Sequence, residues 1–308
     1  MHIARRHFLT RTAALISAAA LPLAPLRGWA VSTLTAGDLR IDSVSDGHIE
    51  FPPDFAFAMI PEAERGDLLR SLDIDPLAVV HSPLNITLLR QGDRVVLFDA
   101  GSGPDFVPTA GTLVEGLSAI GVSPEDVTDV IFTHGHPDHL WGVLDDFDEP
   151  LFPSADYRMG QVEFDYWTDP ATIDTIAEER QSFAVGALRR LTALGDRIER
   201  FQDGAEVLPG IRAVMTPGHT PGHMSFEIGS PGDGLFVIGD FVTMLAGFVR
   251  PDLGTSTDDD PALAAQTRAA MLARLADEGW TVLGYHLPDG GIGKVIRDGQ
   301  AFSFESEA

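Results

Sequence analysis

Polar and apolar residues alternate over Asp38-Leu39-Arg40-Ile41-Asp42-Ser43-Val44, the period of a strand with one buried face. A stretch follows in which Phe51, Phe55, Phe57 and Met59 lie among prolines, and then a short helix is expected around residues 62–72. Residues 85–89 and 95–98 read as a hairpin about the turn Gln91-Gly92-Asp93. A helix over 113–120 ends at Gly121, the residue type favoured just past a helix C-terminus. Val130-Ile131-Phe132 is a buried strand, and a long helical region covers about 172–194. Strands at 211–215, 224–228 and 235–238 come next, then a helix over 261–276, a strand at 281–284 and a C-terminal strand pair. These are two sets of strands, each with its helices and no break between them. They predict a single α/β domain over residues 31–308.

Residues 1–30 follow a different pattern. They contain Arg5, Arg6, Arg11 and Arg27, no acidic residue, an Ala/Leu-rich stretch over 13–26, and small residues in Gly28-Trp29-Ala30. The apolar run is interrupted by Pro22 and Pro25 and is too short for a spanning helix, which is the pattern of a signal peptide. Arg5-Arg6-His7-Phe8-Leu9 resembles a twin-arginine signal, from whose usual form Ala4 and Thr10 depart. The expectation is a periplasmic or secreted protein with no stable membrane insertion once the segment is removed.

Charge narrows the partners. The chain of 308 residues has 21 basic and 46 acidic residues, a net charge of −25, and loss of the four leader arginines makes it −29. A field of that sign repels nucleic acid and favours small neutral or cationic substrates, although surplus acid is also simply solvated surface. There is no cysteine, so disulfides, thiol nucleophiles and thiolate ligands are all excluded. The sequence leaves a homodimer open.

The densest chemistry is Thr133-His134-Gly135-His136-Pro137-Asp138-His139, with four candidate metal ligands in six positions. Imidazole and carboxylate suit zinc and related divalent ions. In an extended loop, the side chains of His134 and His136 fall on one side. Pro137 can open a helix and turn Asp138 and His139 in a new direction, an arrangement that suits two adjacent metals. Three further candidates close strands: His219 in Thr216-Pro217-Gly218-His219-Thr220-Pro221-Gly222-His223, Asp240 after Gly239, and His286 after Tyr285. Strand ends fix ligands rigidly while the loops leave an opening for substrate.

The ordered set His-x-His-x-Asp-His, His, Asp, His resembles the metallo-β-lactamase superfamily. Phe98-Asp99-Ala100-Gly101 is similar to that family's Asp-x-Gly turn, and the turns holding His219 and Asp240 to its third and fourth motifs. The resemblance implies a four-layer αβ/βα sandwich with two mixed β-sheets and two divalent metals at one edge. Zinc is the first expectation, with manganese, iron or cobalt also compatible with the donors. It further implies that His134, His136 and His219 hold one metal, that Asp138, His139 and His286 hold the other, and that Asp240 bridges them. Asp99 would steady the ligand loop. His223 is read as structural, and His48 and His81, without motif support, as structural or surface residues. The absence of cysteine and the presence of Asp240 set this chain apart from family members with other ligand sets. Tyr285-His286-Leu287-Pro288 and the glycine-rich segment after it resemble an exported subgroup that includes methyl parathion hydrolase, and quorum-signal lactonases share the ligand set.

The implied chemistry is cleavage of a carboxylic ester, lactone or phosphotriester by a metal-activated water shared by two ions. Asp138 and Asp240 are the candidate catalytic residues. Phe57, Trp167, Phe241 and Phe248, with Phe51, Phe55, Phe164, Tyr166 and Met244, are candidates for an apolar substrate wall, and Trp141 for either wall or core. Alternatives are a mononuclear iron sulfur dioxygenase of the same fold, β-lactam hydrolysis as a main or side activity, and a non-catalytic binding protein, against which the full ligand set argues.

Overall fold

The alternating N-terminal stretch opens a sheet that is laid down in chain order. The computed structural model describes residues 31–36 and 39–307. Asp38 and the signal reading of residues 1–30 therefore lie outside the described residues. The first sheet comprises β1 (Val31–Ala36), β2 (Leu39–Phe51), β3 (Val80–Gln91), β4 (Arg94–Phe98), β5 (Asp129–Ile131), β6 (Asp156–Gly160) and β7 (Ile198–Phe201), each beside the next. Its pairs are antiparallel up to β4 and parallel from β4 onward. The second sheet holds β8 (Glu206–Leu208), β9 (Ile211–Met215), β10 (Met224–Ile228), β11 (Leu235–Gly239), β12 (Thr281–Gly284), β13 (Ile292–Asp298) and β14 (Ala301–Ser306), also neighbours in chain order. There β11 and β12 are parallel and the other pairs antiparallel.

The sheets face each other across one apolar cluster. Ile41, Val96, Phe98 and Ile131 of the first sheet pack with Ala213, Phe226, Val237 and Leu283 of the second, all buried. Burying each large side chain contributes about 1.5–3 kcal/mol relative to leaving it in water. Helices cover both outer faces. Leu117 of the helix Leu113–Ala119 and Leu191 of the helix Gln181–Leu194 pack on Leu88, Leu97 and Val130. On the other side, Leu272 and Leu275 of the helix Pro261–Glu278 pack on Phe236, Ile238 and Val282. This is the four-layer sandwich with two mixed sheets.

Three departures from the sequence pattern have physical reasons. In β2 the four residues Ile41, Asp42, Ser43 and Val44 are all buried, because Arg40 and Arg90 pair with Asp42 and let a carboxylate sit inside. The region expected to be one long helix is broken into Thr172–Thr175, a turn of 3-10 helix at Glu178–Arg180, and Gln181–Leu194. Ile176 and Ala177 are extended at the break, with ψ of 152° and 142°, and Arg180 just beyond it reaches the centre described below. The helix Gln161–Thr168 and the short strands β6, β7 and β8 arise where the sequence pattern gave no element, their burial coming from tertiary packing. The last helix runs to Glu278, with Asp260 accepting from the Leu263 N–H at its start and Gly279 left-handed at its end. Among the described residues, no helix is long and apolar enough to cross a membrane.

Candidate metal centre

Four loops at one edge of the sandwich bring the expected ligands together, and a fifth, after β4, carries Asp99. β4 and β5 are parallel, with Phe98 opposite Ile131, so Asp99 and Thr133 emerge side by side. Asp99 takes φ of 69°, and its carboxylate accepts from Thr133 N (2.7 Å), Thr133 Oγ1 (2.8 Å) and His139 Nδ1 (2.8 Å). Burial holds the Asp99 carboxyl above its ordinary pKa, against the pull of His139 and Thr133. His136 then ends the extended segment, and Pro137 opens a single helical turn, Pro137–Leu140, that carries Asp138 and His139. On the second sheet, His219 lies between β9 and β10, Asp240 follows β11 and His286 follows β12.

The seven side chains form two groups, His134/His136/His219 and Asp138/His139/Asp240/His286, each with its ligand atoms within 4.8 Å of one another. Asp240 joins the groups. Its Oδ2 lies 3.4 Å from His219 Nε2 and 3.0 Å from His286 Nε2, and its Oδ1 lies 3.4 Å from His139 Nε2. Asp138 Oδ2 is 3.5 Å from His139 Nε2 and 3.4 Å from His286 Nε2. A tetrahedral ion with bonds near 2.0–2.1 Å has ligand edges of about 3.3–3.4 Å, the spacing seen here.

Hydrogen bonding behind the rings fixes which nitrogen faces inward. The Thr133 hydroxyl gives its proton to Asp99, so at 3.0 Å it accepts from His134 Nδ1. His139 Nδ1 donates to Asp99, His219 Nδ1 to Asp258 Oδ1 (3.1 Å) and His286 Nδ1 to Pro83 O (3.0 Å). All four therefore present Nε2 to the interior. His134 Nε2, His139 Nε2 and Asp240 Oδ1 are buried there without a hydrogen-bond partner. Orphaned lone pairs beside two carboxylates are what a cation would satisfy, so the residues fit divalent ions. Burial first, and then the neighbouring imidazoles, hold His134 and His136 well below the usual histidine range, in the neutral form a metal requires. Burial opposes protonation of His286 and His139 too, but Asp240 and Asp138 raise both, His286 to about 10. Ions in the centre would take over the charge those protons carry.

His136 is oriented the other way. Arg180 Nη2 donates to its Nε2 (2.9 Å), so its Nδ1 proton points at His219 Nε2, also 2.9 Å away. To hold a cation through Nδ1, His136 would carry its own proton on Nε2, facing Arg180. The guanidinium has other partners ready in Asp259 Oδ1 (2.8 Å) and Thr257 O (3.2 Å).

Several supporting residues had no signal in the sequence. Buried Glu163 accepts from Gly135 N (2.9 Å) and Trp167 Nε1 (2.6 Å) with one oxygen, and from Thr220 Oγ1 (2.7 Å) and Gly222 N (3.0 Å) with the other. It ties the loop of His134 to that of His219. Gly135 is required by the approach of Trp167, whose Cδ1 would lie 2.4 Å from an added Cβ. Asp258, held by Thr255 N and Arg268, orients His219. Tyr285 stacks on His139 at 3.8 Å and donates to Asp138 O. His223, expected from the sequence to be structural, serves the backbone, accepting from Asp240 N at 2.8 Å while Gly239 turns with φ of 55°.

The centre lies in a cavity of about 620 Å³ to which His136, Asp138, His219, Asp240 and His286 all contribute. Phe51, Phe55, Phe57, Val80, Phe183 and Met244 form much of its apolar wall. Of the residues expected in that wall, Phe51, Phe55, Phe57 and Met244 are there. Trp167 is instead buried beneath Gly135, and Phe241 and Phe248 are fully buried in the outer core of the second sheet. Phe164 and Tyr166 pack on the first sheet's core, as does Trp141, with Arg190 over its ring. Phe106 and Phe183, which no motif marked, take the vacated roles.

A family model described as metallo-beta-lactamase superfamily matches residues 81–286. Metallo-beta-lactamase domain-containing protein 1 of Xenopus laevis is 31% identical over 231 residues, 72% of this chain and 77% of that protein. The N-acyl homoserine lactonase AttM of Agrobacterium fabrum is 28% identical over 121 residues, 38% of this chain and 42% of that protein, so the match spans less than half of the lactonase. Two solved structures superpose with a TM-score of 0.83. One is AidC, a dizinc quorum-quenching lactonase in complex with the product N-hexanoyl-L-homoserine, 25% identical and covering 90% of this chain and 97% of its own. The other is the hydrolase AbOPH of the beta lactamase superfamily, 28% identical and covering 91% and 98%.

Proposed function

This chain belongs to the metallo-beta-lactamase superfamily of hydrolases, and from that premise we propose that it is a two-metal hydrolase of neutral, apolar ester-like substrates, lactones with an acyl chain being the first class to test. One observation carries the reading: Asp240, within 3.4 Å of rings from both ligand groups, sits at the floor of an apolar cavity. Besides the shared Asp240, the second group has three ligands of its own, Asp138, His139 and His286, which favours two ions over one. Zinc is the metal the N/O donor set and the dizinc neighbour favour.

Bound divalent ions would supply an activated water and polarise the carbonyl or phosphoryl oxygen. The protein does the rest. Neutral His134 and His136 offer lone pairs without first losing a charge. Asp99, Asp258 and Pro83 hold the rings of His139, His219 and His286 in one tautomer each, so the reacting centre does not reorganise during the reaction. Asp138 and Asp240 are the carboxylates placed to take up or return a proton at the scissile bond. Phe51, Phe55, Phe57 and Phe183 exclude water and grip an apolar chain. Arg180 is paired with Asp259, so its own charge is compensated in the wall.

The test is a panel of acyl lactones, aryl esters, phosphotriesters and β-lactams, with oxygen consumption followed in parallel. Hydrolysis of at least one ester-like class, lost in Asp240→Ala together with bound metal, is expected. Oxygen uptake with one iron and no hydrolysis would replace this reading with the dioxygenase one.

A further inference from the structure

A second cluster of metal-type side chains lies on β2 and β3 beside the same cavity, which His81 of the three lines. Strand pairing sets Glu50 directly opposite His81, and His48 two residues along β2 on the same face. Glu50 Oε1 lies 3.5 Å from His48 Nε2 and 3.7 Å from His81 Nδ1, and the three ligand atoms all lie within 4.8 Å. The imidazole rings are 4.9 Å apart and tilted by 48°. We propose that His48, Glu50 and His81 form a peripheral divalent-metal site on β2 and β3, taking zinc or a similar borderline ion.

The geometry favours an ion over a pair of surface contacts. The carboxylate oxygen is common to both short distances, and these are close to the ligand edge of about 3.3–3.4 Å expected for tetrahedral zinc. Two imidazoles and one carboxylate select zinc, nickel or copper over calcium or magnesium, which prefer oxygen. The scaffold is rigid: the backbone of His48 is bound on both sides by Thr109, through N–H to carbonyl (3.0 Å) and hydroxyl to carbonyl (2.6 Å). The side chains are 37%, 49% and 60% exposed for His48, Glu50 and His81, which leaves remaining coordination positions to water. A strongly acidic chain also concentrates cations at its surface.

The position connects this site to the centre. His81 lines the cavity, and the next two residues of β3, Ser82 (3.0 Å) and Pro83 (3.0 Å), both contact His286 Nδ1. An ion on His81 would therefore stiffen the strand that orients a residue of the centre.

The experiment is a zinc titration of the full, untagged chain, comparing it with His48→Ala, Glu50→Gln and the double variant His48→Ala/His81→Ala. The expected result is a weaker class of one equivalent in the unaltered chain, absent from the double variant and at least tenfold weaker in Glu50→Gln. The difference between chains is the readout, whatever the central group holds, so failure here is distinguishable from failure of the hydrolase reading. Melting temperatures confirm folding. In a second measurement, one equivalent of copper added to the zinc-loaded chain shows coupling to two nitrogens. No weaker class in the unaltered chain, or the same class in the double variant, overturns the site.

Discussion

His139 Nδ1 lies 2.8 Å from Asp99 Oδ2, with both side chains sealed from solvent. That contact fixes the ring with Nε2 toward Asp138 and Asp240 and leaves it there without a partner. Asp99→Asn puts an amide N–H₂ among groups that all donate, so the ring loses its fixed tautomer. The variant is expected to fold and to bind its second ion about 10–100-fold more weakly. Competition with a chromophoric chelator measures this, and unchanged affinity would deny Asp99 its orienting role.

Phe55 stacks on Phe51 at 5.5 Å on the cavity wall and is 43% exposed, so its removal leaves the core intact. Phe55→Ala is expected to remove about 1 kcal/mol of contact with a long acyl chain, roughly a fivefold rise in KM, with kcat little changed. The ratio of kcat/KM for long and short acyl chains reads this out. Equal losses for both lengths would place the chain elsewhere.

The ligands were legible because their signal is local: motifs with fixed spacing, each ending an apolar run that reads as a strand. The residues that orient them were not. Glu163 and Asp258 are single acids among 46, and what separates them is the loop each one meets across the fold. Aromatic residues misled for a related reason. Phe241 and Phe248 have the composition of a pocket wall and equally that of a core, and layer packing buries them under the helix Pro261–Glu278, while Phe106 and Phe183 reach the cavity. The 172–194 region reads as one helix because neither proline nor glycine interrupts it before Gly186. The break at Ile176 and Ala177 follows from tertiary contacts that draw Arg180 to the centre.

Burial pushes the Asp46 carboxyl up to about 6 from an ordinary value of 3.8, against hydrogen bonds from Ser102, Leu113 and Gly111. The folded chain therefore holds this proton more tightly than the unfolded one. Its contribution to stability is complete below about pH 4 and is lost as pH rises through about 6, a change of at most about 3 kcal/mol. Asp46→Asn cannot titrate. Its stability should fall less steeply than that of the unaltered chain between pH 4 and 6.5, as measured by denaturant midpoints. Parallel slopes would show that Asp46 does not titrate in this range.

The most direct measurement is a titration of metal-free protein with zinc, following bound metal and hydrolysis of an acyl lactone or aryl ester together. Activity is expected to be absent without metal, to rise as the two tight equivalents fill the His134–His286 centre, and to remain absent in Asp240→Ala at any zinc concentration. Hydrolysis by the metal-free chain, or full hydrolysis by Asp240→Ala, would contradict a two-metal centre built on Asp240.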